Sequence, residues 1–372
     1  MKCSGCEFET LAKQHHVGRA LRKTSRWSQF VSLSMGQLSG RKSLRDITSN
    51  LDSQQHKLYH LGAKSIARSS LARLNEQQPH TLYEALFNKL YLRCQPVKPR
   101  HRFRFKNPLL SLDTTLVDLS LKIFPWSDYN RKRGAMKVHV GLDHRGLIPA
   151  FATITDSKQS DISFARTLEL PKGSIVVCDK GYTDYEWYKK LENKGVFVVT
   201  RLRQNQIYGI KQRHPIKGNG EVTSDHTIEF TGKKAQALGL KPMRRIGYRD
   251  PETGKHYEFL TNHFGLSAQT IAAIYKDRWQ IELFFKTIKQ NLKIKHFLGT
   301  TRNAIKTQIW IALCNYLLVQ FLRFRSKTNF SFQSVWRLLQ VNLFERRNVF
   351  ELLLLKPPKP NVQENRRQLC LL

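Results

Sequence analysis

The stretch YKDRWQIELFFKTIK, from Tyr275 to Lys289, contains neither proline nor glycine, and most of its residues favour a helix. At about 100° per residue, Arg278, Glu282 and Lys289 fall on one narrow stripe with Tyr275. The apolar side chains gather on the opposite side, and they are Ile274, Ile281, Phe284, Ile288 and Leu292. The pattern predicts one amphipathic helix whose polar face carries a single carboxylate among cations.

Glu282 on this stripe has two interpretations. With Arg278, Lys286 and Lys289 around it, it is typical of a solvated face held by salt bridges. It gains a chemical role only if carboxylates from elsewhere in the chain converge on it. The remaining sequence decides between the two.

The composition favours a nucleic-acid partner. The chain has 372 residues, enough for two or three domains, and 63 Lys and Arg against 28 Asp and Glu, a formal net charge of +35. An excess this large suits a protein that neutralises phosphates. A generic basic surface, an anionic membrane or a ribosome contact would also use it, and charge alone does not indicate the chemistry.

Other compositional signals favour a cytoplasmic protein. The N-terminus lacks the apolar segment of a secretory signal, and the most apolar helix, 309–324, is interrupted by polar residues and is too polar for a membrane span. Six cysteines are too sparse for a disulfide framework. Cys3-x-x-Cys6, near His15 and His16, could form half of a zinc site, but no second such pair follows.

Residues 1–106 are helical in pattern and strongly basic, with 20 Lys and Arg against 6 Asp and Glu. Ser25 and Ser43 precede two predicted helices as N-caps, and a third helix is predicted to start at Lys64. In that helix the apolar residues face inward, and three cations face outward: Lys64, Arg68 and Arg73. The arrangement resembles a helix-turn-helix whose last helix contacts DNA. An ordinary three-helix packing unit fits it equally well.

From Pro108 the pattern predicts a mixed sheet with flanking helices. Strands are predicted at 109–117, 137–143, 147–154, 174–182 and 196–200, and helices at 161–168 and 183–192. Asp113 lies on the first strand and Asp179 near the tip of the fourth. Glycines punctuate residues 201–265, which predicts a small β-rich segment. Helices follow from Ser267, at 302–325 and at 331–344, and the tail from Pro357 is expected to be poorly ordered.

Asp113, Asp179 and Glu282 form a candidate catalytic set. A carboxylate on an apolar strand is costly unless its charge is compensated, and three of them close together repel one another. Two Mg²⁺ ions would relieve that repulsion and support in-line phosphoryl transfer. The alternative is that these are three unrelated acids among 28.

Four other polar residues carry less weight. His139 and Asp143 lie on core strands and could line the same site, although a strand histidine with satisfied hydrogen bonds is the more ordinary interpretation. Asp118, near the end of the first strand, and Asp161, at the start of a helix, are typical of caps.

Three motifs together resemble those of bacterial transposases of insertion-sequence family 4. The spacing Tyr275-x2-Arg278-x3-Glu282-x6-Lys289 matches the Tyr-Arg-Glu-Lys signature of that family without a gap. Ser-Leu-Asp113-Thr-Thr looks like the first catalytic motif of the family, and Cys-Asp179-Lys-Gly-Tyr looks like its second. The resemblance covers roughly residues 8–345.

The resemblance implies an α/β fold with a ribonuclease-H-like catalytic core, a β-strand insertion and a preceding helical DNA-binding domain. The expected segments are 1–106 (DNA binding), 107–204 (core), 205–265 (insertion), 266–330 (core) and 331–372 (C-terminal helix and tail). Asp113, Asp179 and Glu282 would hold two Mg²⁺ ions, with Mn²⁺ able to substitute. Tyr275, Arg278, Lys286 and Lys289 would grip the DNA backbone.

The implied activity is cut-and-paste DNA transposition: 3′-end nicking at the terminal inverted repeats, then strand transfer into target DNA. The expected partners are double-stranded DNA and a second copy of the chain on it, in a nucleoid-associated cytoplasmic protein. A ribonuclease-H-like nuclease and an inactive DNA-binding derivative are the alternatives.

Two aromatic features remain open. Trp279 could stack on a base or pack in the core. Some relatives hold a flipped base with an insertion tryptophan, but residues 201–270 contain none, so that Tyr208, Tyr248 or Tyr257 would have to substitute.

Overall fold

The computed structural model describes residues 5–120, 123–130, 133–216, 220–291, 297–345 and 347–353. Its helices are α1 Gly5–Gln14, α2 Arg26–Leu38, α3 Leu44–Ser53, α4 Gln55–Leu58, α5 Arg68–Gln77, α6 Thr81–Cys94, α7 Asp161–Thr167, α8 Tyr185–Asn193, α9 Lys233–Ala237, α10 Ala268–Asp277, α11 Trp279–Asn291, α12 Arg302–Ser326, α13 Phe332–Asn342 and α14 Val349–Leu352. Its strands are β1 Leu109–Leu119, β2 Asp128–Asn130, β3 Arg133–Asp143, β4 Ile148–Asp156, β5 Ile175–Cys178, β6 Phe197–Arg201, β7 Tyr208–Arg213, β8 Val222–Phe230, β9 Met243–Arg249 and β10 His256–Thr261. The chain divides into two compact units, one made of the described residues up to Lys98 and from Cys314 onward, the other of Pro99–Leu313.

The first unit is helical, and its predicted caps are confirmed. Ser25 Oγ accepts the N–H of Ser28 at 3.0 Å, and Ser43 Oγ accepts the N–H of Asp46 at 3.1 Å. These bonds satisfy amides that a helix start leaves without an intrahelical partner. A buried polar chain, in which Tyr83 donates to Gln29 at 2.9 Å, adds to the apolar core of this unit.

The third helix starts four residues later than predicted, at Arg68 instead of Lys64. The N–H of Lys64 donates to Ser28 Oγ at 2.9 Å, and Ser65 Oγ donates to Asp52. These contacts tie the non-helical residues before α5 to Ser28 of α2 and Asp52 of α3. The predicted inward residues, Ile66, Leu71 and Leu74, are buried as expected.

The second unit is built on one large mixed sheet, with strand order β2-β3-β1-β5-β6-β10-β9-β8-β7 and β4 paired with β3. β1, β5 and β6 are parallel neighbours, and β5 is buried along its whole length, as a central parallel strand requires. Strands β7–β10 of the predicted β-rich segment continue the same sheet, because β10 pairs with β6. The strand with Asp179 near its tip is shorter than predicted and ends at Cys178. Helix α8 begins two residues later than predicted, at Tyr185, and Asp184 is its N-cap.

The two faces of the sheet have different cores. On one face Leu112 and Cys178 pack with Phe164 of α7 and Trp187 of α8. On the other face, Leu109, Ile175 and Val199 pack with three residues of α10: Ile271, Ala272 and Ile274. Since side chains alternate along a strand, residue parity decides which face each functional side chain meets.

The predicted single helix from Tyr275 to Lys289 is wrong in one respect: it is two helices that meet at Arg278. The N–H of Arg278 donates to Tyr275 O, and the N–H of Ile281 donates to Arg278 O, both at 3.1 Å. These i to i−3 bonds make a tighter turn than an α-helix. The apolar face predicted for this stretch is confirmed, because Ile274, Ile281, Phe284 and Ile288 are buried.

By length and composition α12 could cross a membrane, but 78 % of its most apolar window is buried inside the protein. Burial of this kind is typical of a core helix. Cys3, Leu292 and the tail from Pro357 lie outside the described residues.

Candidate active site

Strand register brings Asp113 and Asp179 together. β1 and β5 run parallel, with Leu112 opposite Cys178, and an aspartate follows each of these residues. Leu112 and Cys178 face α7 and α8, so Asp113 and Asp179 project to the opposite face, where α10 packs. Two carboxylates therefore meet at the carboxyl end of a central parallel strand.

Arg278 connects Glu282 to Asp113. Glu282 lies in the first turn of α11, and Arg278 Nη2 donates to its Oε1 at 2.7 Å. Arg278 Nη1 is 3.5 Å from Asp113 Oδ2. One guanidinium thus links a carboxylate of the sheet to the carboxylate of the helix.

The backbone around each aspartate orients it. Asp113 Oδ1 accepts the N–H of Thr114, and Asp179 Oδ1 accepts the N–H of Gly181, each at 2.8 Å. A Cβ at Gly181 would lie 2.8 Å from Asp179 Oδ1, closer than real Cβ contacts. Glycine at 181 therefore permits the tight turn that wraps around the second aspartate.

The pKa of Asp113 is perturbed by its surroundings. Burial raises the pKa of Asp113 from 3.8 to about 6, and the nearby charges of Asp179 and Glu282 push it in the same direction. The hydrogen bond from Thr114 and the charge of Arg278 oppose that rise without cancelling it. A carboxyl group perturbed in this way by burial and by like charges is typical of functional sites.

These side chains are of the right type for divalent cations, since hard ions prefer carboxylate oxygens. In the described part of the chain, however, no group of three or more His, Cys, Asp or Glu side chains is arranged to hold a metal ion. The contacts of Arg278 give a physical reason, because its cationic group bonds to Asp113 and Glu282. Arg278 thus supplies part of the charge compensation that a metal would otherwise supply.

A buried hydrogen-bonded chain fixes the helix junction to the sheet. Ser111 Oγ is 2.6 Å from His144 Nε2, and His144 Nδ1 is 2.8 Å from Asp277 Oδ2. Arg102 pairs with the other oxygen of Asp277 at 3.1 Å. Ser111 lies two residues before Asp113, and Asp277 directly precedes Arg278. The chain therefore couples the position of Arg278 to the strand that carries Asp113.

The four minor candidates are structural in most respects. His139 is fully buried between Thr114 Oγ1 at 2.7 Å and Thr155 Oγ1 at 2.9 Å, which confirms the satisfied-histidine interpretation. Asp143 is buried and pairs with Arg145. The cap interpretation is wrong for Asp118, an exposed residue inside β1. It is also wrong for Asp161, because Ser160 caps α7 and Asp161 pairs with Lys137.

The remaining signature residues differ in exposure. Tyr275 packs on Phe259 at 4.8 Å between ring centroids, and Arg278 lies over the Tyr275 ring at 5.8 Å. Lys286 is exposed and Lys289 is partly buried. Trp279 is 56 % exposed, so the core-packing interpretation is wrong and its ring is available for stacking. In the other unit, Lys64, Arg68 and Arg73 are exposed.

Arg201 lies next to the candidate site, although the sequence did not predict it there. β6 runs parallel to β5 with Val177 opposite Val199, so that Arg201 falls beside Asp179 on the same face. Arg201 stacks over Tyr257 at 5.0 Å, and its guanidinium has no ion pair or hydrogen bond within the described ranges. It lines a cleft of about 530 Å³ with Asp179, Lys180 and Arg203. The sequence signal for this position was a basic residue, Arg201, at the carboxyl end of β6, the strand that follows Asp179 in the chain.

Comparisons with known proteins agree on one class. The model of the transposase DDE domain matches residues 104–318, and a domain of unknown function matches residues 4–64. A Sinorhizobium fredii protein named as a transposase is 31 % identical over 304 residues, covering 81 % of this chain and 83 % of that protein. A Geobacillus stearothermophilus protein, named as the transposase of insertion sequence element IS5377, is 27 % identical over 261 residues, covering 70 % and 68 %.

Among solved structures, the chain is similar to the piggyBac transposase in a synaptic complex with hairpin DNA. The match has a TM-score of 0.47 at 12 % identity and covers 97 % of this chain and 79 % of that one.

Proposed function

Since the chain belongs to the family of DDE transposases and is a DNA transposase, we propose that Asp113, Asp179 and Glu282 form its catalytic set. With these residues it would nick the terminal inverted repeats of its own insertion sequence and join them to target DNA. The observation that carries the proposal is the register that sets Asp113 beside Asp179. The ion pairs of Arg278 with Asp113 and Glu282 add the third carboxylate.

Asp113, Asp179 and Glu282 would hold two Mg²⁺ ions, for which Mn²⁺ can substitute. When bound, such ions activate the attacking oxygen and stabilise the leaving oxygen of phosphoryl transfer. Burial is the main cause of the raised pKa of Asp113, and bound cations would offset the smaller part that comes from the charges of Asp179 and Glu282. Because Arg278 bonds to two of these carboxylates, it must release them, and a DNA phosphate is its natural alternative partner.

The proposed reaction has two phosphoryl transfers. In nicking, a water molecule loses a proton and its oxygen bonds to the scissile phosphorus, while the bond to the 3′ oxygen breaks and that oxygen takes up a proton. The products are a 3′-OH and a 5′-phosphate. In strand transfer, that 3′ oxygen loses its proton and bonds to a target phosphorus, while the 3′ oxygen of the target leaves and takes up a proton. The carboxylates orient the reacting groups, and nearby cations stabilise the phosphate.

Phosphate binding is proposed for cations on both sides of the carboxylates. Arg278 and Tyr275 come from the helix junction, with Lys286 and Lys289 further along α11. Arg201 supports the other side, because strand register sets it beside Asp179 and both residues line one cleft. Trp279 offers an exposed ring for base stacking.

We extend the proposal to the architecture and partners. The parallel strands β1, β5 and β6 with helices on both faces support a ribonuclease-H-like core, and β7–β10 support an insertion at about residues 205–265. Residues 1–106 would bind the terminal repeats, and the segments 107–204, 266–330 and 331–372 would complete the core and the C-terminal part. We also propose that two copies of the chain form a homodimer on the paired ends of the insertion sequence, at the bacterial nucleoid.

The test is cleavage of end-labelled inverted-repeat DNA in the presence of Mg²⁺. We expect a nick at the 3′ end with the parent chain and none with Asp179→Ala. Equal nicking by that variant would refute the carboxylate assignment. Integration of a pre-cleaved end into plasmid separates a transposase from a nuclease on the same core, and the absence of both activities would favour a DNA-binding derivative.

A further inference from the structure

A basic cleft lies in the helical unit, between the loop that joins α1 to α2 and helix α5. It has a volume of about 710 Å³, and its walls are residues 17–24 of the loop together with Ser70, Arg73, Leu74, Gln77 and Gln78. Its lining contains four cations and no carboxylate. Among the three cations predicted on the third helix, Arg73 lines this cleft, whereas Lys64 and Arg68 do not.

The four cations of the cleft are Arg19, Arg22, Lys23 and Arg73. All four are exposed, and in the described part of the chain none of them forms an ion pair. Elsewhere in the same unit, by contrast, Arg93 and Lys89 pair with Glu7. Four like charges around one cleft repel one another and together attract an anion into it.

The loop that carries three of these cations is held at both ends by Gln78. Gln78 is buried, and its Nε2 donates to Val17 O at 2.8 Å while its Oε1 accepts from Arg26 Nη1 at 3.2 Å. Arg26 Nη2 also donates to Pro79 O at 2.7 Å. The loop is therefore anchored to the residues that follow α5 before any ligand arrives. Such preorganisation reduces the entropy that binding would otherwise cost.

We propose that this cleft binds the sugar-phosphate backbone of double-stranded DNA. The proposal deepens the proposed function, since it assumes that the chain acts on DNA. Phosphates along a duplex supply a row of negative charges for Arg19, Arg22, Lys23 and Arg73, and the Ser70 hydroxyl and Gln77 amide add neutral donors. These contacts position the unit on the duplex and carry no sequence information themselves.

The test measures the affinity of the full-length chain for a fluorescent duplex across a series of salt concentrations. The cleft variant is Arg19→Gln/Arg22→Gln/Lys23→Gln. Its matched control is Lys42→Gln/Arg325→Gln/Arg337→Gln, which removes the same charge from exposed residues of the same unit outside the cleft. A third variant, Arg19→Lys/Arg22→Lys, keeps the charge of the cleft.

Each lost phosphate contact lowers the slope of log affinity against log salt concentration by about 0.9. We therefore expect the slope of the cleft variant to fall by about 2.7, that of the control by less than about 1, and that of the lysine variant to stay near the parent value. Equal losses in the cleft variant and the control would overturn the proposal, because the effect would then be one of net charge. A lysine variant as weak as the glutamine variant would also overturn it.

Competition with a single-stranded oligonucleotide and with polyglutamate tests the choice of partner. We expect the unlabelled duplex to compete best, and equal competition by either other polyanion would overturn the assignment to double-stranded DNA. The outcome is independent of catalysis. If Asp179→Ala nicked normally while the cleft variant lost its salt dependence, the carboxylate assignment would fail and the cleft would stand.

Discussion

Replacing Asp113 by Asn should make the protein more stable at neutral pH, although it removes a proposed catalytic group. The pKa of Asp113 in the folded protein is raised from 3.8 to about 6, chiefly by burial. Its side chain is 23 % exposed, so solvent screens it only in part. One pKa unit corresponds to about 1.4 kcal/mol, so ionised Asp113 lowers the free energy of unfolding by about 3 kcal/mol.

The sign of the pH dependence follows from proton counts. Between pH 3.8 and 6 the folded state binds more protons at Asp113 than the unfolded state does. The stability that protonated Asp113 contributes is therefore complete below pH 3.8 and is lost as the pH rises through 6. Asn at 113 does not ionise, so the advantage of Asp113→Asn should grow from near zero to about 3 kcal/mol across this range.

The assay is urea unfolding of the two proteins in EDTA, at pH values on either side of 6. Asp118→Asn is the matched control, because Asp118 is an exposed carboxylate on the same strand and should change little. Mg²⁺ in place of EDTA should narrow the difference by stabilising the parent alone. A variant that is less stable than the parent above pH 6, or a difference that does not change with pH, would refute the reasoning.

Three further outcomes are expected. Burial lowers the pKa of His139 from 6.5 to about 4. The stability that neutral His139 contributes is therefore present above pH 6.5 and is lost as the pH falls through 4. In His139→Gln the free energy of unfolding should fall by about 3 kcal/mol less between pH 6.5 and 4 than in the parent, as measured by unfolding at both pH values. Asp277→Asn weakens the hydrogen bond between Asp277 and His144 and should slow DNA cleavage about 10-fold to 100-fold without changing duplex affinity. Equal losses of cleavage rate and of duplex affinity would contradict a positioning role for Asp277. Arg201→Gln should lower the salt slope of duplex binding by about 1 and Arg201→Lys should restore it; an unchanged slope would exclude a phosphate contact.

Local patterns in the sequence were enough to predict the strand that carries Asp113, the strand that precedes Asp179, the caps at Ser25 and Ser43 and the helix start at Ser267. Each depends on a few consecutive residues, because a strand needs alternation or an apolar run and a cap needs one hydroxyl before a helix. Ser267 Oγ accepts the N–H of Thr270 at 3.1 Å, as its position predicts.

Features set by residues far apart in the chain could not be predicted in this way. The turn at Arg278 interrupts a sequence with no helix breaker; it coincides with side-chain contacts from Arg278 to Asp113 and from Asp277 to His144. The position of Arg201 beside Asp179 requires the parallel register of β5 and β6. Periodicity along one segment contains no information about either.

Cleavage of a labelled transposon end by Asp179→Cys bears most directly on the carboxylate assignment. A thiolate binds Mg²⁺ poorly but binds softer ions such as Mn²⁺ and Cd²⁺ better. We predict that Asp179→Cys is inactive with Mg²⁺ and regains cleavage with a softer ion, while Asp118→Cys cleaves with Mg²⁺ as the parent does. Full Mg²⁺-dependent cleavage by Asp179→Cys would contradict the assignment of Asp113, Asp179 and Glu282 as the catalytic set.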